Sequence, residues 1–256
     1  MSSSSVQLVA DALLSARRDG QTRVAATFND ALAGADEAYE VQAAMASALG
    51  WFADAPPRYW KSGGQSRQAV LTHAPLPSHG VWTSPAAPDG FPFARRGIEA
   101  EIALRLGRDV DARLAAGLDE AAASELIDAM AVSIEVVDSR WTECMAAMPL
   151  LRLADLQCHG ALVLGEWQAW KPRDWSRQVC RVAIGSQDPV ERCGTHALGT
   201  PTWGLGAWLR HVTRDGATVP AGTVVTTGTW VGILDAEKGD LVVAEFDGIG
   251  TASVQL

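Results

Sequence analysis

The sequence predicts an α+β protein in which a helical N-terminal segment precedes a β-rich remainder. Three observations carry this reading. Apolar residues recur at helical spacing over Val6–Arg18 and again over Asp36–Leu49. Apolar and other residues alternate over Ile98–Leu106, the period of a strand. From Thr223 onward, β-branched runs alternate with glycine-rich breaks.

In the first helix, Val6, Val9, Ala10, Leu13 and Leu14 form one stripe and Gly20 is the stop. In the second, Asp36 is placed as the cap, Ala38, Val41, Met45 and Ala48 as the inner face, and Gly50 as the end. Ala53-Asp54-Ala55-Pro56-Pro57 is a break, so the helical segment is set at 1–57 and the β-rich catalytic domain at 58–256. Residues 74–97 read as one long loop rich in Pro and Gly. Asp119–Met130 reads as a helix with Ala122, Leu126 and Met130 inward, followed by a strand over Val132–Asp138. Ala161–Leu164 is a short buried strand and Val179–Ile184 another. Thr200-Pro201 suits an N-cap and first helical position, with the helix running to about His211. Strands over Thr223–Thr227, Leu241–Phe246 and Ala252–Leu256 complete the chain.

The chain has 256 residues, 48% of them hydrophobic, which suits a sizeable core and excludes disorder. Its net charge is −9 and no Lys/Arg cluster occurs, which argues against nucleic acid or an anionic membrane as partner. No apolar run approaches membrane-spanning length, and Met1 is followed by four serines without an apolar stretch, so no secretory signal is expected. Cys144, Cys158, Cys180 and Cys193 lack CxxC spacing and read as reduced thiols, consistent with a cytoplasmic protein. There is no Walker loop and no dinucleotide fingerprint.

The chemistry concentrates in Ile98–Leu106. Strand geometry puts Ile98, Ala100, Ile102, Leu104 and Leu106 on one face and Glu99 with Glu101 on the other. Neighbouring carboxylates repel unless a cation or a proton intervenes. Glu135 sits inside the apolar run Val132–Val137, where a carboxylate needs a partner. All three ligands would be carboxylates, with no Cys or His joining by spacing, which favours a hard ion, Mg²⁺ or Mn²⁺, over zinc or iron. The alternative is that Glu99 and Glu101 face water on a half-exposed strand. The pair alone favours that alternative; with Glu135 the two readings stand level. Lys61, in Tyr59-Trp60-Lys61-Ser62-Gly63-Gly64, is either a surface lysine or a lysine at a desolvated site.

Glu99-Ala100-Glu101 followed by Ile134-Glu135-Val136-Val137-Asp138-Ser139-Arg140 resembles the fumarylacetoacetate hydrolase superfamily, and within it the 2-keto-4-pentenoate hydratase and 4-oxalocrotonate decarboxylase branch. In family order come also Glu37–Gln42, Trp60–Gly63, Ala154-Asp155, Gly194–Pro201, Gly222–Thr229 and Lys238–Asp240. Two positions depart from the pattern. Ser78-His79-Gly80 stands where relatives carry an acidic residue before an aromatic and a glycine, and Leu156 stands where they carry asparagine.

The resemblance implies a mixed β-roll of fumarylacetoacetate hydrolase type. It implies a metal-dependent lyase on a small 2-oxo acid, with hydratase of 2-hydroxypenta-2,4-dienoate first and 4-oxalocrotonate-type decarboxylase second. It leaves open an inactive metal-binding homologue serving as a partner subunit. Glu99, Glu101 and Glu135 would hold Mg²⁺ or Mn²⁺, Lys61 would act in catalysis, and Ser62, Gly63, Asp155 and Thr229 would contact substrate. A homo-oligomer, in possible association with a related pathway enzyme, is expected. Because the stretch Thr72–Phe93 contains no Lys or Arg, a monocarboxylic substrate is expected over a dicarboxylic one.

Overall fold

The computed structural model describes residues 4–256; the first three residues of the serine-rich start, on which the absence of a leader was partly read, lie outside the described residues. Helix α1 (Ser4–Asp19) packs against α2 (Ala35–Leu49). Gly50 caps α2 with φ 65°, a left-handed value that favours glycine. Its N-terminal cap is Gly34 and not Asp36, which lies inside the first turn, where its charge suits the helix dipole.

The strands are β1 (Tyr59–Gly63), β2 (Thr72–Leu76), β3 (Val81–Thr83), β4 (Gly97–Leu106), β5 (Ile127–Val137), β6 (His159–Leu164), β7 (Gln168–Ala169), β8 (Val179–Ile184), β9 (Val190–Cys193), β10 (Val224–Thr226), β11 (Leu234–Asp235), β12 (Leu241–Phe246) and β13 (Gly250–Gln255). Nine form one sheet in the order β2-β1-β10-β4-β5-β6-β3, with β11 on β4 and β7 on β5. The pairs β1–β10 and β3–β6 are parallel and the other pairs antiparallel, so the sheet is mixed. A smaller sheet runs β13-β12-β8-β9.

The apolar face of β4 packs as the alternation requires. Ile98, Ala100, Ile102 and Leu104 are fully buried in one cluster with Val182, Val242, Ala244 and Phe246 of the smaller sheet. Burying each such aliphatic side chain is worth roughly 1.5–3 kcal/mol. The opposite face of β4 is thereby left for the carboxylates. Helices α1 and α2 share a second cluster with Trp141 and with Leu151 and Leu153 of α5 (Pro149–Ala154).

Three segments differ from the sequence expectation. Asp119 does cap a helix, accepting from Ala122 N at 2.8 Å, but that helix is only α4 (Glu120–Ser124). Ile127 onward is already strand, because the ten-residue β4 takes β5 as partner along its length, and Arg105 clamps Asp128 across the pair at 2.9 Å. Pairing across strands overrides local helical spacing here. Residues 74–97 are not one loop: Thr72–Leu76 and Val81–Thr83 are strands at the two edges of the large sheet. The last helix, α6 (Leu205–Thr213), begins after Gly204, with turns at residues 201–204. Short helix α3 (Ala112–Ala116), capped by Asp111, packs on α6.

Candidate metal centre

Register assembles the site. Glu99 on β4 lies directly opposite Glu135 on β5, and Glu101 lies opposite Ser133. Residues facing each other across a strand pair share a face. One carboxylate oxygen from each of Glu99, Glu101 and Glu135 lies within 4.8 Å of the other two. Glu101 and Glu135 are buried and Glu99 is half-buried.

Each buried carboxylate is held differently. Glu101 Oε2 accepts from Thr226 Oγ1 and, at 2.9 Å, from Gly228 N. Gly228 has φ +106°, which allows its N–H to turn toward the carboxylate at the end of β10. Glu135 Oε1 accepts from Lys61 Nζ at 2.5 Å and meets His159 Nδ1 at 3.0 Å. Its other oxygen, Oε2, is buried and has no hydrogen-bond partner. Lys61 also donates to Gln157 O at 3.3 Å.

The electrostatics follow from this crowding. Burial, then Glu101 and Glu135, push Glu99 up to about 8. Burial, then Glu135, push Glu101 up to about 7. Burial also opposes charge on Glu135, but Lys61 and His159 outweigh it and hold that carboxyl below the ordinary range. Burial works against the Lys61 ammonium too, and Glu135, Glu99 and Glu101 outweigh it, so Lys61 is held charged. Three acids face one lysine, and one buried carboxylate oxygen among them is left without a hydrogen-bond partner. A hard divalent ion fits that donor set of oxygens.

Glu99 and Glu101 open into a cavity of about 530 Å³ whose wall also includes Lys61, Ser62, Gly63 and Thr229. Ser62 Oγ bonds His73 Nδ1 at 2.9 Å. A Cβ on Gly63 would meet nothing within 4 Å, so the backbone there borders open space. Thr229 Oγ1 donates to Gly232 O at 2.9 Å and accepts from Val231 N at 3.2 Å, fixing its own turn. Asp155 is the predicted contact that the structure does not bring to this wall. It is fully buried and accepts from Arg140 Nε at 2.6 Å, Arg140 N at 2.9 Å and Ser139 Oγ at 3.2 Å. Arg140 therefore pairs with Asp155, while Asp138 accepts from Arg95 N at 2.7 Å. His196 lines the cavity, but backbone uses both its ring nitrogens: Nε2 meets Thr227 O at 2.9 Å, and Nδ1 accepts from Leu198 N at 3.2 Å.

Several participants carried no sequence signal. Leu156, Gln157 and Cys158 all adopt left-handed backbone, with φ 49°, 56° and 60°. Such residues cost roughly 1–3 kcal/mol each and persist only where surroundings over-determine them. This turn delivers the Gln157 carbonyl to Lys61 and is followed directly by His159. Arg152 of α5 also reaches the cavity wall, with its Nε buried and unpartnered.

A mixed, curled sheet carrying three convergent acidic side chains and a buried lysine defines a β-roll protein with a candidate carboxylate metal site. Residues 27–256 match the model of the fumarylacetoacetate (FAA) hydrolase C-terminal family, and the chain belongs to that family. It is 28% identical over 260 residues to 2-keto-4-pentenoate hydratase 1 of Dechloromonas aromatica (strain RCB), covering 97% of this chain and 96% of the relative. The structure of 4-oxalocrotonate decarboxylase from Pseudomonas putida G7, complexed with magnesium and adipate, superposes with TM-score 0.82 at 19% identity, covering 98% and 96% of the two chains. Fumarylpyruvate hydrolase from Pseudomonas aeruginosa, in complex with Mn²⁺ and pyruvate, superposes with TM-score 0.54 at 15% identity, covering 77% and 88%. The fold is thus the expected fumarylacetoacetate hydrolase type. Among the described residues, no helix is long and apolar enough to cross a membrane.

Proposed function

We propose that this chain is a divalent-metal-dependent lyase acting on a small 2-oxo acid, of the hydratase type that adds water to 2-hydroxypenta-2,4-dienoate. The observation that carries the reading is the convergence of Glu99, Glu101 and Glu135 beside a charged, buried Lys61. The three glutamates would hold Mg²⁺ or Mn²⁺. A bound ion of this kind supplies Lewis-acid chemistry, drawing negative charge onto a keto oxygen.

The chain's own groups do the rest. Glu135 anchors Lys61 through one N–H and the Gln157 carbonyl anchors it through another. An ammonium has three donors, so one stays free for the cavity. Without metal the glutamates hold Lys61 charged, which suits it to give a proton to a substrate carbon or to hold a substrate carboxylate. Ser62, Gly63 and Thr229 form the wall against which the acid would lie. Asp155 would act from outside the cavity, by tying Arg140 beside the Leu156–Cys158 turn.

Arg152 favours a second reading. A cation in the wall with an unpartnered Nε suits a distal carboxylate, and hence a decarboxylase of 4-oxalocrotonate type. The expected monocarboxylic preference rested on a loop without cations; α5 supplies one from elsewhere in the chain. The deciding experiment is kinetics of the isolated chain with Mg²⁺, comparing kcat/KM for hydration of 2-hydroxypenta-2,4-dienoate with that for carbon dioxide release from 4-oxalocrotonate. Faster hydration supports the hydratase, and faster decarboxylation replaces it with the second reading. Neither activity, with metal still bound, points to an inactive partner subunit.

A further inference from the structure

We propose that a second cavity, built around Arg17, binds a small monocarboxylate with an apolar body. This cavity has a volume of about 460 Å³ and shares no wall residue with the three-glutamate cavity. Its wall joins the end of α1 to the segment after α2, the 3-10 turn at Ser78–Gly80, and residues 138–140 and 159–160.

The argument starts from charge. Arg17 Nε and Nη2 are buried and have no hydrogen-bond partner. The nearest acid is Asp155, 3.5 Å from Arg17 Nη2. That carboxylate is already committed: Oδ1 accepts from Arg140 Nε, and Oδ2 from Arg140 N and Ser139 Oγ. The other acid in the wall, Asp138, accepts from the backbone of Ala94 and Arg95. Arg17 is therefore a buried cation short of acceptors, a costly state that a carboxylate would relieve through the guanidinium fork. Burial, then Arg140, depress its pKa to about 9, the direction expected of an under-compensated guanidinium.

Arg17 is also fixed in place. Its guanidinium sits over the Trp51 ring, 5.1 Å from the centroid. Trp51, Leu49, Phe91 and Pro92 give the cavity apolar walls, which suit a hydrocarbon or aromatic body. Arg17 offers buried N–H groups without an acceptor while Asp138 adds a negative charge to the same wall, so a monocarboxylate fits better than a phosphate dianion. His159 contributes a second polar point. Its Nε2 is buried and unpartnered, while its Nδ1 meets Glu135 at 3.0 Å. A bound acid would lie one side chain away from the glutamate cluster.

The test uses metal-free full-length protein, so that no bound ion offers a carboxylate a second site and the reading of the metal centre is not engaged. Sodium benzoate is titrated calorimetrically in chloride-free buffer. Binding at one site per chain is expected. Arg17→Gln should weaken it by about 10–100-fold, the worth of hydrogen bonds to a charged group, and Arg17→Lys should recover part of that loss. Glu101→Gln, in the other cavity, should leave benzoate affinity unchanged. Because Arg17 also neighbours Asp155, a variant-free measurement accompanies these. A metal-free crystal soaked in 4-bromobenzoate should show the bromine beside Trp51 and Phe91. The proposal is overturned if wild-type protein binds no benzoate, if a folded Arg17→Gln binds it as wild type does, or if the bromine lies beside Glu101.

Discussion

Replacing Lys61 with methionine tests the electrostatic account of the metal centre. Lys61 Nζ lies 2.5 Å from Glu135 Oε1, the lysine side chain 11% exposed and the glutamate 0%. Methionine keeps most of the volume and removes the charge. Glu135 then keeps only His159 on Oε1, beside Glu99 and Glu101. Removing one partner of a buried ion pair costs about 3–5 kcal/mol. For a chain of this size each kcal/mol lowers Tm by about 2–4 °C, so the metal-free variant should melt roughly 6–20 °C below wild type. Neutralising the cluster with a divalent ion should return more stability to the variant than to wild type. At 100 times Kd the linkage alone is worth about 2.7 kcal/mol. Turnover with metal should fall by about 10²-fold or more, the size of a lost acid–base group. The assays are thermal melts in EDTA and in Mn²⁺, plus steady-state kinetics. An unchanged metal-free Tm together with an equal metal gain in both proteins would refute the claim that Lys61 offsets the glutamates.

His73, His196 and His211, pushed down by burial to about 3, about 4 and about 4, raise stability with pH up to about 6.5, and above that the metal-free protein should lose stability as pH rises from about 7 to about 8.5 and then level off. Glu99 and Glu101 are pushed up to about 8 and about 7 in the fold, so the folded state binds more protons than the unfolded state across that window. Urea melts in EDTA at pH 7, 7.8 and 8.5 measure it, and stability that rises over this range contradicts it. Metal affinity should rise over the same window, because binding displaces those protons; calorimetry in two buffers of different ionisation heat reads the proton release. Glu101→Gln should cut metal affinity by about tenfold or more, since at least about 1.4 kcal/mol of ligand energy is lost, while the Thr226 and Gly228 contacts keep an oxygen to bond. Arg152→Met should lower kcat/KM for a dicarboxylic 2-oxo acid by about 10-fold or more and leave a monocarboxylic one nearly unchanged, the worth of one charge-assisted hydrogen bond; equal losses for both would remove Arg152 from specificity.

The parts of the fold that could be read from the sequence are those where local pattern and tertiary burial agree. Ile98–Leu106 is such a case: alternation assigned its faces, and the smaller sheet covers the apolar one. Leu126–Met130 is the opposite case. Its spacing suits a helix, yet the backbone of β4 requires a partner along its length, and a sheet's demand for pairing is invisible in a short window. Thr72–Leu76 and Val81–Thr83 were hidden for a related reason. Both are short edge strands, and each takes its hydrogen bonds from a partner distant or reversed in the chain: β3 from β6 and β2 from β1. Prolines such as Pro75 and Pro77 are tolerated at such edges, so composition there resembles a loop.

The site divides along the same line. Glu99 and Glu101 are visible as a pair because strand period places them together, and Glu135 because a carboxylate in an apolar run demands a partner. Which partner it finds is a matter of register: the pairing of Glu99 with Glu135 and of Lys61 with Thr226 brings the lysine to the same face. Arg152 and His159 stand apart from this logic. Arg152 is one basic residue in a short helix, and nothing in Pro149–Ala154 distinguishes it from a solvated arginine. His159 opens a strand after three left-handed residues, a conformation that Leu, Gln and Cys do not signal. Yet Arg152 puts a cation into the cavity wall, and His159 meets Glu135 at 3.0 Å. An inference about substrate drawn from one loop, such as the absence of a cation in Thr72–Phe93, takes in one wall only: a pocket has walls from several elements, and a charge absent from one wall can enter from another.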